Sequence, residues 1–170
     1  MSKTTTSAAT AAHPVPFLYR LILNTLEPFF AAAGAIMVFR DPGSYLSTMT
    51  RHSIAYPAHQ GDAAAFVYTQ LGGGWLYFAF VEAVVLRTYP NDTRLWRYLF
   101  MGMLLSDAAY AHGCAQALGG WAVWADLTLW TAEDWTVFWT TAPPLLARIC
   151  FVLGVGVDFS SKKSVDKKRN

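Results

Sequence analysis

Glu27, Asp107 and Arg148 each lie within a separate long apolar stretch of this 170-residue chain. An ionisable side chain at bilayer depth costs several kilocalories per mole, so it turns inward, finds a partner and marks a functional candidate. Counted from the ends of the stretches that share one side, Glu27 is 10 residues beyond Phe17, Asp107 is 12 beyond Leu95, and Arg148 is 9 before Val157. On a helix their depths then differ by only about 5 Å, within side-chain reach. A permanently charged arginine holding a carboxylate beside a carboxylic acid forms an acid/base pair. Such a pair can protonate one oxygen while activating a hydroxyl or a water. The competing reading is a charge-compensated pair that fixes helix register. The pattern alone leaves both open.

Other polar residues flank this layer. Glu82 is 4 residues from its end and is expected nearer the inner surface, whereas Gln70 and His112, at 16 and 17, fall in the outer half. Arg20, Asn24, Glu27, Ala31 and Gly34 follow one another at spacings of three and four, a polar-then-small stripe that should look into a bundle. Asp107, Tyr110 and Cys114 share a face, and Ala109, Gly113 and Ala117 form a small-residue stripe on the same helix. His112 lies five residues after Asp107, roughly 140° around the helix, so the two do not share a face. Pro143-Pro144 removes two backbone donors beside Arg148, which predicts a kink and freed carbonyls.

The elements that must carry these residues are four apolar stretches at about 17–39, 63–86, 95–118 and 135–157. Each is long enough to cross a bilayer, which takes about 20 residues. Pro14 and Pro16 precede the first; Arg40-Asp41-Pro42-Gly43, Tyr89-Pro90-Asn91-Asp92 and Asp158 bound the others. The composition agrees: 54% hydrophobic, 15% aromatic and only 14% charged, where a soluble domain carries about a quarter charged. The expected class is an all-α integral membrane four-helix bundle. Residues 1–16 read as a disordered leading tail, 17–157 as the membrane domain and 158–170 as a basic tail. The leading tail lacks the apolar core of a secretory signal, so the first stretch is expected to be retained.

Lysine and arginine set the orientation. Lys3, Arg20, Arg87, Arg94, Arg97, Lys162, Lys163, Lys167, Lys168 and Arg169 fall on the side of the termini, against Arg40 and Arg51 opposite. Both termini are therefore expected in the cytoplasm, with the Asn91 sequon on the same side and unmodified. Trp121, Trp124 and Trp130, beside Asp126, Glu133 and Asp134, read as an outer interfacial segment.

The net charge of +2 and the absence of a basic stripe exclude nucleic acid as a partner. Cys114 and Cys150 have no metal-binding spacing and read as small core hydrophobes, so neither metal nor disulfide is expected. Nucleotide loops, GxSxG and HExxH are lacking, and no cofactor is implied.

Several short motifs carry a resemblance. Pro16-Phe17-Leu18-Tyr19-Arg20, Leu26-Glu27-Pro28, Ala33-Gly34-Ala35, Leu95-Trp96-Arg97, Ser106-Asp107, and Ala147-Arg148 through Val152-Leu153-Gly154-Val155-Gly156 resemble a family of small fungal four-span membrane proteins. That family includes epoxide hydrolases or cyclases of aurovertin- and citreoviridin-type polyketide clusters. The resemblance covers nearly the whole chain. It implies a membrane-bound hydrolase of secondary metabolism that opens the epoxide of a lipophilic polyene. One carboxyl, Asp107 or Glu27, would protonate the epoxide oxygen while the other accepts a proton from water or an internal hydroxyl, with Arg148 orienting the base. Tyr110 and His112 would then hydrogen-bond the developing alkoxide, and Trp75 and Tyr77 would line an apolar slot; Asn24 and Glu82 are further candidates for contact with substrate.

Two other classes stand beside it: a non-enzymatic four-span protein binding a sterol-like lipid, and an enzyme with the layout of the emopamil-binding sterol isomerases. Membrane lipid is a partner in every case, a homo-oligomer could add polar groups to the thin layer, and endoplasmic reticulum is the expected membrane.

Overall fold

The computed structural model describes residues 13–54 and 61–159. They are helical throughout, with no strand among the described residues. Helix α1 spans Phe17–Arg40, entered from the extended backbone of Pro16. It stops at Asp41, whose side chain accepts from the Ser44 amide at 2.9 Å and caps α2, Pro42–Met49. Helix α3 begins as Gly61–Phe80 and continues through Val81–Val85 and Leu86–Thr88. Asp92 caps α4, Thr93–Ala117, by accepting from the Leu95 amide at 2.9 Å. Gly119 and Gly120 end α4 at φ 90° and 126°, a conformation that costs glycine nothing. The short helix α5, Trp121–Trp124, and one tight turn, Leu127–Leu129, lead to α6, Ala132–Val152. A reciprocal cap between Thr131 and Asp134 opens α6.

Helix α1 packs along α3, and α4 packs on α6, which also touches the first half of α1. Two stretches, Phe17–Arg40 and Ala65–Thr88, are long and apolar enough to cross a membrane. The fourth apolar stretch is helical only to Val152, five residues short of the expected end, because Gly154 and Gly156 turn the chain at φ 81° and 69°. Pro143 and Pro144, where a kink and freed carbonyls are expected, lie inside this helix, which runs on through them. The leading tail also differs from expectation where it is described: Val15 is fully buried in the core. Residues 1–12 and 160–170 lie outside the described residues, as do 55–60 of the loop after α2.

At the end of the bundle that holds Val15 and Val157, Leu23, Leu86, Trp96, Phe100 and Phe151 form a fully buried core. Phe151 stacks on Trp96 with centroids 5.7 Å apart and meets Phe100 edge-on at 5.0 Å. The indole N–H of Trp96 donates to the Tyr89 carbonyl at 2.9 Å, and the Tyr19 hydroxyl to the Val155 carbonyl at 2.8 Å. The chain after α6 is thereby tied back: Phe159 rests on Phe151 at 5.7 Å, beneath the Arg97 guanidinium.

The opposite end is polar. Arg51 Nε donates to Asp134 at 2.8 Å, linking the end of α2 to the start of α6. Hydrogen bonds from the Ser44 hydroxyl and amide hold the Asp41 carboxyl below its usual range. The Thr128 hydroxyl and amide do the same for Asp126. Glu133 is lowered by its own backbone amide and by Thr131. All three thus stay ionised at neutral pH, as suits a face in water.

Removing the ring at the centre of this core should be costly: Phe151→Ala is expected to lower unfolding stability by about 3 kcal/mol. The loss would be read by thermal or denaturant unfolding in detergent micelles. A comparable truncation of the exposed Leu146 should change it little.

Candidate functional site

Proline 28 has no amide hydrogen, and its ring would collide with the carbonyl four residues earlier, that of Asn24. Helix α1 widens into a π-helical turn over Ile22–Leu26 immediately before it, with the Glu27 amide bonding back to the Ile22 carbonyl. The carbonyl freed at Asn24 accepts instead from the Arg87 guanidinium of α3, whose other contact is the Thr25 hydroxyl at 3.3 Å. Helix α3 has its own π-helical turn, Val81–Val85, and the two widened turns pack on each other. Glu27 follows the first and Glu82 lies within the second.

Both carboxyls meet the guanidinium of Arg148 from α6. Arg148 Nη2 donates to Glu27 Oε1 and, at 3.0 Å, to Glu82 Oε1, while Nη1 donates to Asp107 Oδ2 of α4 at 2.5 Å. Each of the four long helices therefore contributes one member to a single ionic centre. The remaining face of the guanidinium lies over the Phe78 ring, 5.6 Å from its centroid. Glu27 and Glu82 meet on the same guanidinium nitrogen, Arg148 Nη2. Their second oxygens are buried with no hydrogen-bond partner among the described residues. Exposure divides the four groups: Arg148 is 1% and Glu82 0% accessible, Glu27 12% and Asp107 20%. Asp107 is the member that something outside could touch.

The geometry brings Glu27, Asp107 and Arg148 to one point and adds Glu82, which was expected nearer the inner surface. The reason is where the helices end. Helix α3 runs on to Thr88, six residues beyond Glu82, and α6 stops four residues beyond Arg148, so the two count almost the same depth. Asn24 is buried beside the centre, its carbonyl engaged by Arg87. Trp75 packs elsewhere, against Gly34, Tyr45 and Tyr110, where a methyl group on Gly34 would sit 3.0 Å from the indole. The Tyr110 hydroxyl points to Met49 Sδ at 3.8 Å. His112 is not part of the centre: its position around α4 leaves it exposed beside Trp121, with centroids 6.1 Å apart. Tyr77 is exposed and lines a cavity between α3 and α4.

No group of three or more His, Cys, Asp or Glu suited to a metal ion occurs among the described residues. The three acids instead share an arginine. An all-helical chain with a buried ionic centre of this kind falls in one protein class by sequence as well: residues 12–158 match a domain of unknown function, DUF7704, and the chain belongs to that family. No curated protein and no solved structure matches it.

One guanidinium with three carboxyl partners makes Arg148 the member whose loss matters most. Arg148→Met should cost about 3–5 kcal/mol in a detergent unfolding assay, since it leaves buried acids without their cation. Glu82→Gln, which keeps the shape and a hydrogen-bond donor, should cost under about 1 kcal/mol.

Proposed function

We propose that the chain is a four-span membrane enzyme that opens a lipophilic epoxide by carboxyl acid/base catalysis. The carrying observation is the Arg148 centre with its unequal access: three carboxyls on one buried guanidinium, of which Asp107 is the most exposed. A register lock needs one carboxylate per arginine, and two surplus acids have no use in it. Burying all three as anions would leave a net charge of minus two at low dielectric, so the centre in its resting state holds protons.

The roles follow from the contacts. The paired Glu27 and Glu82 share a proton, and Glu27, the more accessible of the two, is the donor. Asp107, on its own arginine nitrogen, is the base. The Glu27 proton passes to the epoxide oxygen as the carbon–oxygen bond breaks. Water, or a hydroxyl of the substrate, attacks the carbon and gives its proton to Asp107. The product is a diol or a cyclic ether, and a proton returned from Asp107 to Glu27 restores the resting state. The motif resemblance supplies the reaction class, and with it a polyketide-type substrate and a fungal biosynthetic setting.

Four spans are supported by the outward faces of α4 and α6, which expose Tyr98, Met101, Leu105, Trp139, Leu146 and Ile149 although their inward polar residues lower the average hydropathy. Termini in the cytoplasm and residence in the endoplasmic reticulum follow the lysine and arginine bias. In intact microsomes a membrane-impermeant maleimide should label Asn91→Cys but not Thr128→Cys until the membrane is opened. The reverse pattern would invert the topology.

Turnover is tested with membranes from an expressing host and an epoxidised polyene. Asp107→Asn and Glu27→Gln at matched protein levels should each lower the rate by about 100-fold or more. If native protein turns over no epoxide while still binding a lipophile, the centre belongs to a non-enzymatic binder.

A further inference from the structure

Helices α3 and α4 part near the ionic centre and leave a cavity of about 280 Å³. Its walls include Tyr77, Phe78, Leu99, Gly102 and Met103, with Tyr98 at the rim. None of these residues is ionisable in the neutral range, so the cavity offers nothing to an ion. Tyr77 and Tyr98 are exposed, as are Met101 and Leu105 further along α4, so the cavity opens sideways onto the apolar outside of the bundle. Its inner wall touches the site: Phe78 lines the cavity and also carries the Arg148 guanidinium on its ring, 5.6 Å away. Two further registers point the same way. Phe78 is one helical turn from Glu82, and Met103 is one turn from Asp107.

We infer that this cavity is the lateral binding slot for the hydrocarbon end of the substrate, entered from the bilayer, and that it takes an unbranched chain and not a fused-ring lipid. The inference rests on the acid/base reading of the ionic centre, whose substrate it describes. Phe78, shared by the cavity wall and the Arg148 contact, puts the cavity beside that centre, so the occupant is a ligand whose polar end is directed toward Asp107 while its apolar end remains between the helices. Size selects the shape. Pockets that enclose a whole drug-sized ligand hold roughly 300–1,000 Å³, so this one receives part of a molecule. A gap lined by the rings of Tyr77, Phe78 and Tyr98 suits a flat or extended chain. Gly102 lines it too, and a β-carbon there meets nothing within 4 Å, so a larger side chain has room to enter the slot without striking the protein.

The probe is a long-chain alkyl epoxide carrying a diazirine in mid-chain, photolysed with the full-length protein in lipid nanodiscs. Labelling is located by peptide mass spectrometry, a readout independent of turnover. Native protein should be labelled on the segment holding Tyr98 and Met103. Gly102→Leu should lower that labelling about tenfold, the effect of losing contact with roughly two buried methylene groups. Gly102→Met, another good helix former, serves as the second filling variant, and thermal unfolding checks both for folding. Gly113→Leu, on the same helix and equally free of neighbours within 4 Å, should leave labelling unchanged. Undiminished labelling in both Gly102 variants would overturn the slot, as would complete competition by a sterol with none by an unlabelled alkyl chain. Asp107→Asn separates the two proposals: it should abolish turnover and keep the label. Labelling of the slot in a native protein that turns over no epoxide removes the acid/base reading alone. Turnover that survives filling of Gly102 removes the slot alone.

Discussion

A single guanidinium organises this bundle. Arg148 reaches one acid on each of the other three long helices, and no two of those helices could slide or rotate without breaking a charged contact. In the proposed membrane setting, packing gains little from the hydrophobic effect, since lipid tails are as apolar as leucine. Specific polar contacts and close packing must fix the arrangement. The aromatic core around Phe151 does so at one end, and the Arg51 to Asp134 ion pair at the other. Between them the arginine sets depth and rotation for all four helices at once.

The same centre shows how local backbone chemistry sets up a site. Pro28 denies the Asn24 carbonyl its helical partner beside a widened turn of α1, and α3 satisfies that carbonyl through Arg87. The contact holds the two π-helical turns side by side, and the acids they carry arrive as neighbours. Pro28 would leave that carbonyl unpaired in a regular α-helix too, and a helix without the wide turn would rotate Glu27 relative to Arg148. The proline inside α1 is thus part of what aims the carboxyl.

Much of this was legible in the residues. Isolated charges in apolar stretches at matching counts were enough to place Glu27, Asp107 and Arg148 in one layer, because inward placement of charge is dictated by its cost in lipid. Glu82 was misplaced in depth because counting assumed that helices end where apolarity ends. Glycines 154 and 156 end the last helix earlier, and α3 continues past Leu86 through the polar Arg87 and Thr88. His112 lies where its phase puts it, off the face of Asp107 and in the half of α4 toward Trp121, and Trp75 packs on Gly34, Tyr45 and Tyr110. The Phe78 ring beneath the arginine left no sequence signal, as one aromatic among many. The Leu26-Glu27-Pro28 run did hold a cue to the π-helical turn, since a proline inside a helix always strands the carbonyl four residues earlier.

Arg148 also lies on the last helix to be made. The three acids leave the ribosome first, on helices with no guanidinium yet beside them. Their shared contacts can form only once α6 is in place, so the ionic centre is the last feature of the bundle to be completed. A chain cut short before Ala132 would carry three acids and no Arg148 to join them.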